Sequence, residues 1–227
     1  MKKTLIALAA ITAFGVVSAE EAKEHNWYDI TGWYGSGEYS YKEKVYGQGQ
    51  TNLGEFHDVM AMTIGAKFHD GWSVEALTET EKVDYTNGTA TQAQEGLTQI
   101  AVGKSFKTDT IFTPYLKLAT GYKFKKDSSF QIWRFDLGTN VKLNDDWGLQ
   151  VNVRHRQANS EYVDLGASSL TATKYNTNEG SIGIVYKFTP KDSIRLAKKI
   201  ERQSESHVSS LSSSEYNTTS LTYSRSF

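Results

Sequence analysis

The chain has 227 residues, 25 basic and 26 acidic, a formal net charge of −1 and a mean hydropathy of −0.51. That balance excludes a broadly basic nucleic-acid binder. The absence of cysteine excludes a disulfide framework, a thiolate metal site and a cysteine nucleophile. Aromatic residues make up 12% of a chain that is polar on average, a combination that fits apolar residues set on alternate positions.

In chain order, Lys2 and Lys3 precede a run free of charge from Leu5 to Val17, and Val17, Ser18 and Ala19 offer small residues before Glu20. This is the layout of a cleaved secretory signal over residues 1–19, and the run is too short to span a bilayer as a helix. Cleavage removes two of the 25 basic residues and no acid, leaving 23 against 26 in a single domain, 20–227. No later apolar stretch reaches helix-spanning length, so a membrane location requires a closed sheet whose backbone groups pair strand to strand.

Strand signals follow. Leu116, Leu118, Tyr122 and Phe124 form one apolar face. Trp133, Phe135, Leu137, Val141 and Leu143 alternate with Arg134, Asp136, Gly138, Asn140 and Lys142. Leu149, Val151 and Val153 alternate with Gln150, Asn152, Arg154 and Arg156, and Ile182, Ile184, Tyr186 and Phe188 repeat the pattern. Tight polar turns at 69–72, 107–110, 144–146 and 189–192 lie about 37 to 45 residues apart, with longer polar stretches at 46–55, 86–95, 125–129, 164–177 and 204–214 between them. The expected strands are about 28–44, 56–68, 72–85, 97–106, 111–124, 130–143, 147–162, 178–188, 193–204 and 215–227. The fold expected is an all-β transmembrane antiparallel barrel of ten strands, with turns and both termini periplasmic and longer loops extracellular. Phe68, Trp72, Phe106, Phe112, Trp147, Phe188 and Phe227 form the expected periplasmic aromatic girdle.

If the apolar faces meet lipid, the opposite faces line a lumen. Lys117, Lys123, Arg134, Lys142, Arg154, Arg156, Lys187, Arg195 and Lys199 then make a basic wall, opposed by Glu75, Glu79 and Glu81, with Asp136 on the basic side. Lys117, Arg134, Arg154, Arg156 and Lys199 fall near mid-height as a candidate constriction, with Lys123 and Arg195 on the same path. Nine bases against four acids favour an anion path. Ten tilted strands give a backbone diameter of about 20 Å and a free lumen of about 10 Å, wide enough for an extended sugar chain in single file. The five histidines show no metal-ligand spacing, and no cofactor motif is present.

The chain closes with Leu221, Tyr223 and Phe227 on one alternating face. This tail resembles the assembly signal of bacterial outer-membrane barrels, which implies outer-membrane lipids and the barrel-assembly machinery as partners, engaged through Tyr223 and Phe227. Arg225 interrupts that face where the signal usually has an apolar residue.

The segment Ile30 to Tyr41, with Gly32-x-Tyr34-x-Ser36-Gly37 running into a charged stretch, resembles the opening strand of the oligogalacturonate-specific porins, a family that includes sialic-acid porins. The resemblance implies a narrow monomeric channel of twelve strands whose basic residues form tracks for small acidic sugars, and Arg134, Arg154, Arg156 and Lys199 match the track positions. Two rivals stand beside a porin. A non-conducting structural or adhesive barrel would fill its interior with salt bridges. An outer-membrane hydrolase would use rim residues, for which His57, Asp58 and His155 are the nearest match; His57, at a loop edge, reads as solvated, and the expectation is no enzyme.

Overall fold

The computed structural model describes residues 29–47, 54–85, 93–125, 128–162, 171–207 and 210–227. The expected signal segment lies outside the described residues, as do parts of the expected long loops. Period-two alternation emerges as ten strands: β1 (Ile30–Gly47), β2 (Glu55–Phe68), β3 (Trp72–Tyr85), β4 (Ala93–Ser105), β5 (Phe112–Lys125), β6 (Ser128–Lys142), β7 (Trp147–Tyr162), β8 (Thr171–Lys187), β9 (Asp192–His207) and β10 (Ser210–Ser226). Each pairs antiparallel with its sequence neighbour, and β10 pairs with β1 to close the barrel. Closure leaves no open edge, the condition for a sheet in hydrocarbon. Among the described residues no helix is long and apolar enough to cross a membrane.

The strand count is ten, as the alternation indicates, and not the twelve of the resembled family. Two stretches expected as loops are strand wherever they are described, at 171–177 and at 204–207 and 210–214. β8 begins at Thr171 and pairs with β9 as far as Lys174↔Ser206, and β9 pairs with β10 through Leu211↔Ser206. Their serine and threonine content hid them, because a strand that projects beyond the apolar band is wet on both faces and loses its alternation.

The short turns use local side-chain chemistry. Asn144 Oδ1 accepts hydrogen bonds from the backbone N–H groups of Asp146 (2.9 Å) and Trp147 (2.8 Å), and Thr189 Oγ1 accepts from those of Lys191 (3.2 Å) and Asp192 (2.9 Å). Between β2 and β3 a single 3-10 turn, His69–Gly71, places Asp70 at φ 58° and Gly71 at φ 79°. A Cβ on Gly71 would lie 2.3 Å from the Ser105 carbonyl oxygen, so this position requires glycine.

The large apolar side chains face outward. Ile100, Leu118, Leu137, Val153, Ile182 and Leu196 are all more than half exposed. A water-soluble sandwich would bury these faces, so the surrounding medium must be apolar. Trp72, Phe106, Phe112, Trp147 and Phe188 are exposed in a belt at the turn end, and Tyr39, Tyr41, Tyr122 and Phe124 in a second belt toward the loops. Phe112 and Tyr122 are ten residues apart on β5, a rise of about 26 Å for a tilted strand, which matches the apolar band of an outer membrane.

The carboxy-terminal strand ties the two ends together. Phe227 N–H donates to the Trp33 carbonyl at 2.9 Å, and Ser226 N–H to that of Lys191 at 2.8 Å. Arg225 does face outward with Leu221 and Tyr223, at the turn end. Its guanidinium sits 5.8 Å from the Phe227 ring centroid and 3.7 Å from Asp192, which also accepts from the Tyr223 hydroxyl at 2.6 Å.

Candidate functional site

Because side chains alternate along each strand, the register of the ten strands decides which charged groups share a level inside the barrel. Lys117, Lys123, Arg134, Arg154, Arg156, Arg195, Lys199, Glu75, Glu79 and Glu81 all line one lumen cavity of about 450 Å³. Its lining runs from Asn140, Gln150 and Ser193 near the turns to Phe130, Tyr175 and Gln203 toward the loops. Two of the nine bases of the expected wall are elsewhere. Lys142 and Lys187 are exposed at the turn end, and Lys142 pairs with Asp145 at 2.7 Å. Their strands end there, so the alternation no longer assigns an inside.

At mid-height the charges interlock. Glu75 accepts hydrogen bonds from Lys117 (2.7 Å), from the Tyr34 hydroxyl (2.7 Å) and from Arg134 (3.3 Å), which reaches across from β6 to β3. Arg134 also donates to Gln99 Oε1 at 2.9 Å and lies 3.2 Å from Asp136. Asp136 accepts from Arg154 at 2.7 Å, and Arg154 faces Glu179 at 3.7 Å. On the β1 side, Glu38 accepts from Arg195 (2.7 Å), Thr222 (2.9 Å) and Lys199. Arg156 meets Glu79 across the lumen at 4.0 Å.

A second tier lies toward the loops. Lys42 donates to Glu201 at 2.8 Å and lies 3.6 Å from Glu81. Lys123 lies 2.5 Å from Glu95 and 3.4 Å from Glu81. His57 is buried, with its two ring nitrogens 2.6 Å from Glu81 and 2.7 Å from Glu55. The expectation of a solvated rim histidine is therefore corrected: His57 points inward because it shares its face of β2 with Val59 and Ala61. Asp58, next in sequence, points outward to the Tyr39 hydroxyl at 2.6 Å, and His155 is exposed and pairs with Asn178 at 2.8 Å. The three residues of the hydrolase rival do not converge.

The picture of a basic wall facing an acidic one also changes. Glu38, Glu55, Glu95, Glu179 and Glu201 join the interior, and each sits against a base or the His57 ring. Acids and bases interleave instead of standing on opposite sides. Extending the parity of Tyr34 to Glu38, and that of Ser181 to Glu179, would have found two of them. What differs is depth. The side chains of Lys123, Lys117, Arg195, Arg154 and Arg156 are 30, 28, 25, 20 and 18% exposed. Those of Glu75, Asp136, Glu179, Glu81 and Glu201 are 6, 3, 7, 8 and 10% exposed, and Glu79 and Glu38 reach 17 and 18%. Lys117, Lys123, Arg154 and Arg195 stand proud of the acids that anchor them, whereas Arg156 is level with Glu79, and Arg134, Lys42 and Lys199 are only 1, 11 and 12% exposed.

Residues 6–188 match the family described as outer membrane protein beta-barrel domain. The chain belongs to this family. The protein is accordingly a bacterial outer-membrane barrel. No curated protein matches it in sequence. Among solved structures, an outer membrane channel from Pseudomonas putida F1 is similar at a TM-score of 0.59 and 8% identity, covering 92% of this chain and 100% of that one. The outer membrane protease OmpT from Escherichia coli aligns at 0.48 and 10% identity, covering 88% and 98%. The KdgM porin in complex with disordered oligogalacturonate aligns at 0.38 and 11%, covering 84% and 99%. At these identities the first supports the barrel fold alone, and the other two superpose too loosely to bear on function.

Proposed function

We propose that this outer-membrane barrel is a passive diffusion channel for small anions, acidic sugars among them, as its likeness to the oligogalacturonate-specific porins implies. The observation that carries this reading is the difference in depth between bases and acids. A solute in the lumen meets Lys117, Lys123, Arg154 and Arg195 before the carboxylates behind them, with Arg156 level with Glu79, so the surface it samples leans basic although the interior is nearly neutral overall. Arg134 and Lys199 serve in this reading as anchors of the network. Glu75, Glu79 and Glu81 hold the bases in place. In the same reading residues 1–19 export the chain and are removed, the short turns and both termini face the periplasm, Tyr223 and Phe227 engage the assembly machinery, and the barrel works as a monomer without a cofactor or catalytic step.

The alternative of a non-conducting, salt-bridged barrel draws on the contacts of Arg134 with Glu75 and Arg156 with Glu79, which cross the lumen. Planar-bilayer recording in a KCl gradient separates the two. Discrete steps with a chloride-leaning reversal potential are expected, and the double variant Lys117→Gln/Arg156→Gln is expected to move that potential toward the cation side. Sealed bilayers at all voltages, or a cation preference in the unaltered protein, would sink the channel reading.

A further inference from the structure

The inward face of a water-filled pore gains nothing from large apolar side chains, yet one sector of this lumen is built from them. Leu97 on β4, Phe130 and Ile132 on β6 and Ala158 on β7 pack as a cluster on the inside of the barrel, with Leu77 on β3 and Tyr175 on β8 against it. Phe130 and Tyr175 meet edge to face at 5.2 Å. All six line the cavity, in its half toward the loops.

Arg156 adjoins this wall. It lies two residues before Ala158 on β7, and its partner Glu79 is the register neighbour of Leu97. Its pairing is looser than that of the bases around it. The Glu79 contact is 4.0 Å, the Nε is shielded without an acceptor as it is in Arg134 and Arg195, and unlike those two its guanidinium makes no hydrogen bond among the described residues. Arg154, one level lower, donates to Asp136 at 2.7 Å. A guanidinium normally binds a carboxylate through two parallel N–H donors at close range, and a 4.0 Å contact leaves that capacity unused.

We propose that Arg156 and the apolar wall form a subsite for a small carboxylate with an apolar body, aromatic or branched. The carboxylate docks on the guanidinium fork in place of Glu79, and the body lies along Leu77, Leu97 and Tyr175. This deepens the channel reading and rests on it, since the subsite gives an anion path a preferred class of anion. Glu79 acts as the internal competitor that the solute displaces and that resets the site once it leaves. Ordinary barrel packing explains the apolar cluster, but it does not explain an under-coordinated arginine at its border.

Equilibrium binding of radiolabelled benzoate to the barrel in lipid nanodiscs tests this, with empty nanodiscs as background. Saturable binding is expected, with acetate competing about tenfold more weakly because it lacks the ring. Arg156→Gln should abolish the saturable component, and Glu79→Gln should tighten it severalfold; heat-dependent gel migration verifies that both variants are folded. No saturable binding, equal competition by acetate, or a shift in the same direction in both variants would overturn the subsite. Binding that behaves as described in a protein that leaves bilayers sealed would overturn the channel and leave the subsite standing, so the two ideas fail separately.

Discussion

Arg134 shows how one side chain holds the interior together. Its side chain is 1% exposed and contacts Glu75, Asp136 and Gln99 on three strands. Removing it leaves two buried carboxylates each short of a cation, while Lys117 and Arg154 still hold one apiece. Breaking a buried pair from one side costs far more than the pair contributes in sum. Arg134→Ala is therefore expected to destabilise the barrel by about 3 kcal/mol, measured by urea unfolding in lipid vesicles. Arg156→Gln, in contrast, should cost under about 1 kcal/mol, as for a loosely paired and partly exposed charge. Similar losses for the two would show that depth does not separate anchor from solute-facing base.

Between strands, glycine and tyrosine shape the turn end of the lumen. Tyr34 on β1 lies over its register partner Gly65 on β2, and Tyr115 on β5 over Gly138 on β6; a Cβ on either glycine would come within 2.5 Å of the ring. The rings cover the exposed glycine backbone and carry their hydroxyls to Glu75 at 2.7 Å and Asn152 at 3.2 Å. Gly138→Val should cost about 1 to 3 kcal/mol by overpacking and displace Tyr115 from Asn152. Gly180→Ala, where a Cβ meets nothing within 4 Å, should stay within about 0.5 kcal/mol. The same unfolding assay compares them, and an equal effect at both sites would refute the role of the close approach.

At the scale of the whole molecule, closure through β1 and β10 turns ten amphipathic ribbons into two surfaces with different solvents. The outer surface answers to the bilayer, and the inner one to water and to charge. Selectivity set by fixed lumen charges weakens with ionic strength, because the screening length falls from about 10 Å at 0.1 M to about 3 Å at 1 M salt. The chloride preference measured across tenfold KCl gradients should accordingly shrink as mean concentration rises. A preference that does not change with salt would place its origin in pore size or contact chemistry.

Much of the fold was legible in the chain alone, and the reason is geometric: period-two alternation is a local property, so Trp133 to Leu143 reveals its two faces without knowledge of its neighbours. The polar turns, the ten strands and the lumen location of Arg134, Arg154 and Glu75 follow from it. The wet ends of β8, β9 and β10 were not legible, because alternation disappears where both faces meet water. Pairing inside the lumen was beyond sequence for a different reason. The contact of Arg156 on β7 with Glu79 on β3 depends on register and on the curvature of a closed sheet, which sum over several strands, and the seat of His57 between Glu55 and Glu81 depends on the register of β2 with β3. Away from the strand ends residue order thus determined which side chains face inward, and only the closed barrel decided which charges meet there, since distance across a lumen is a property of all ten strands together.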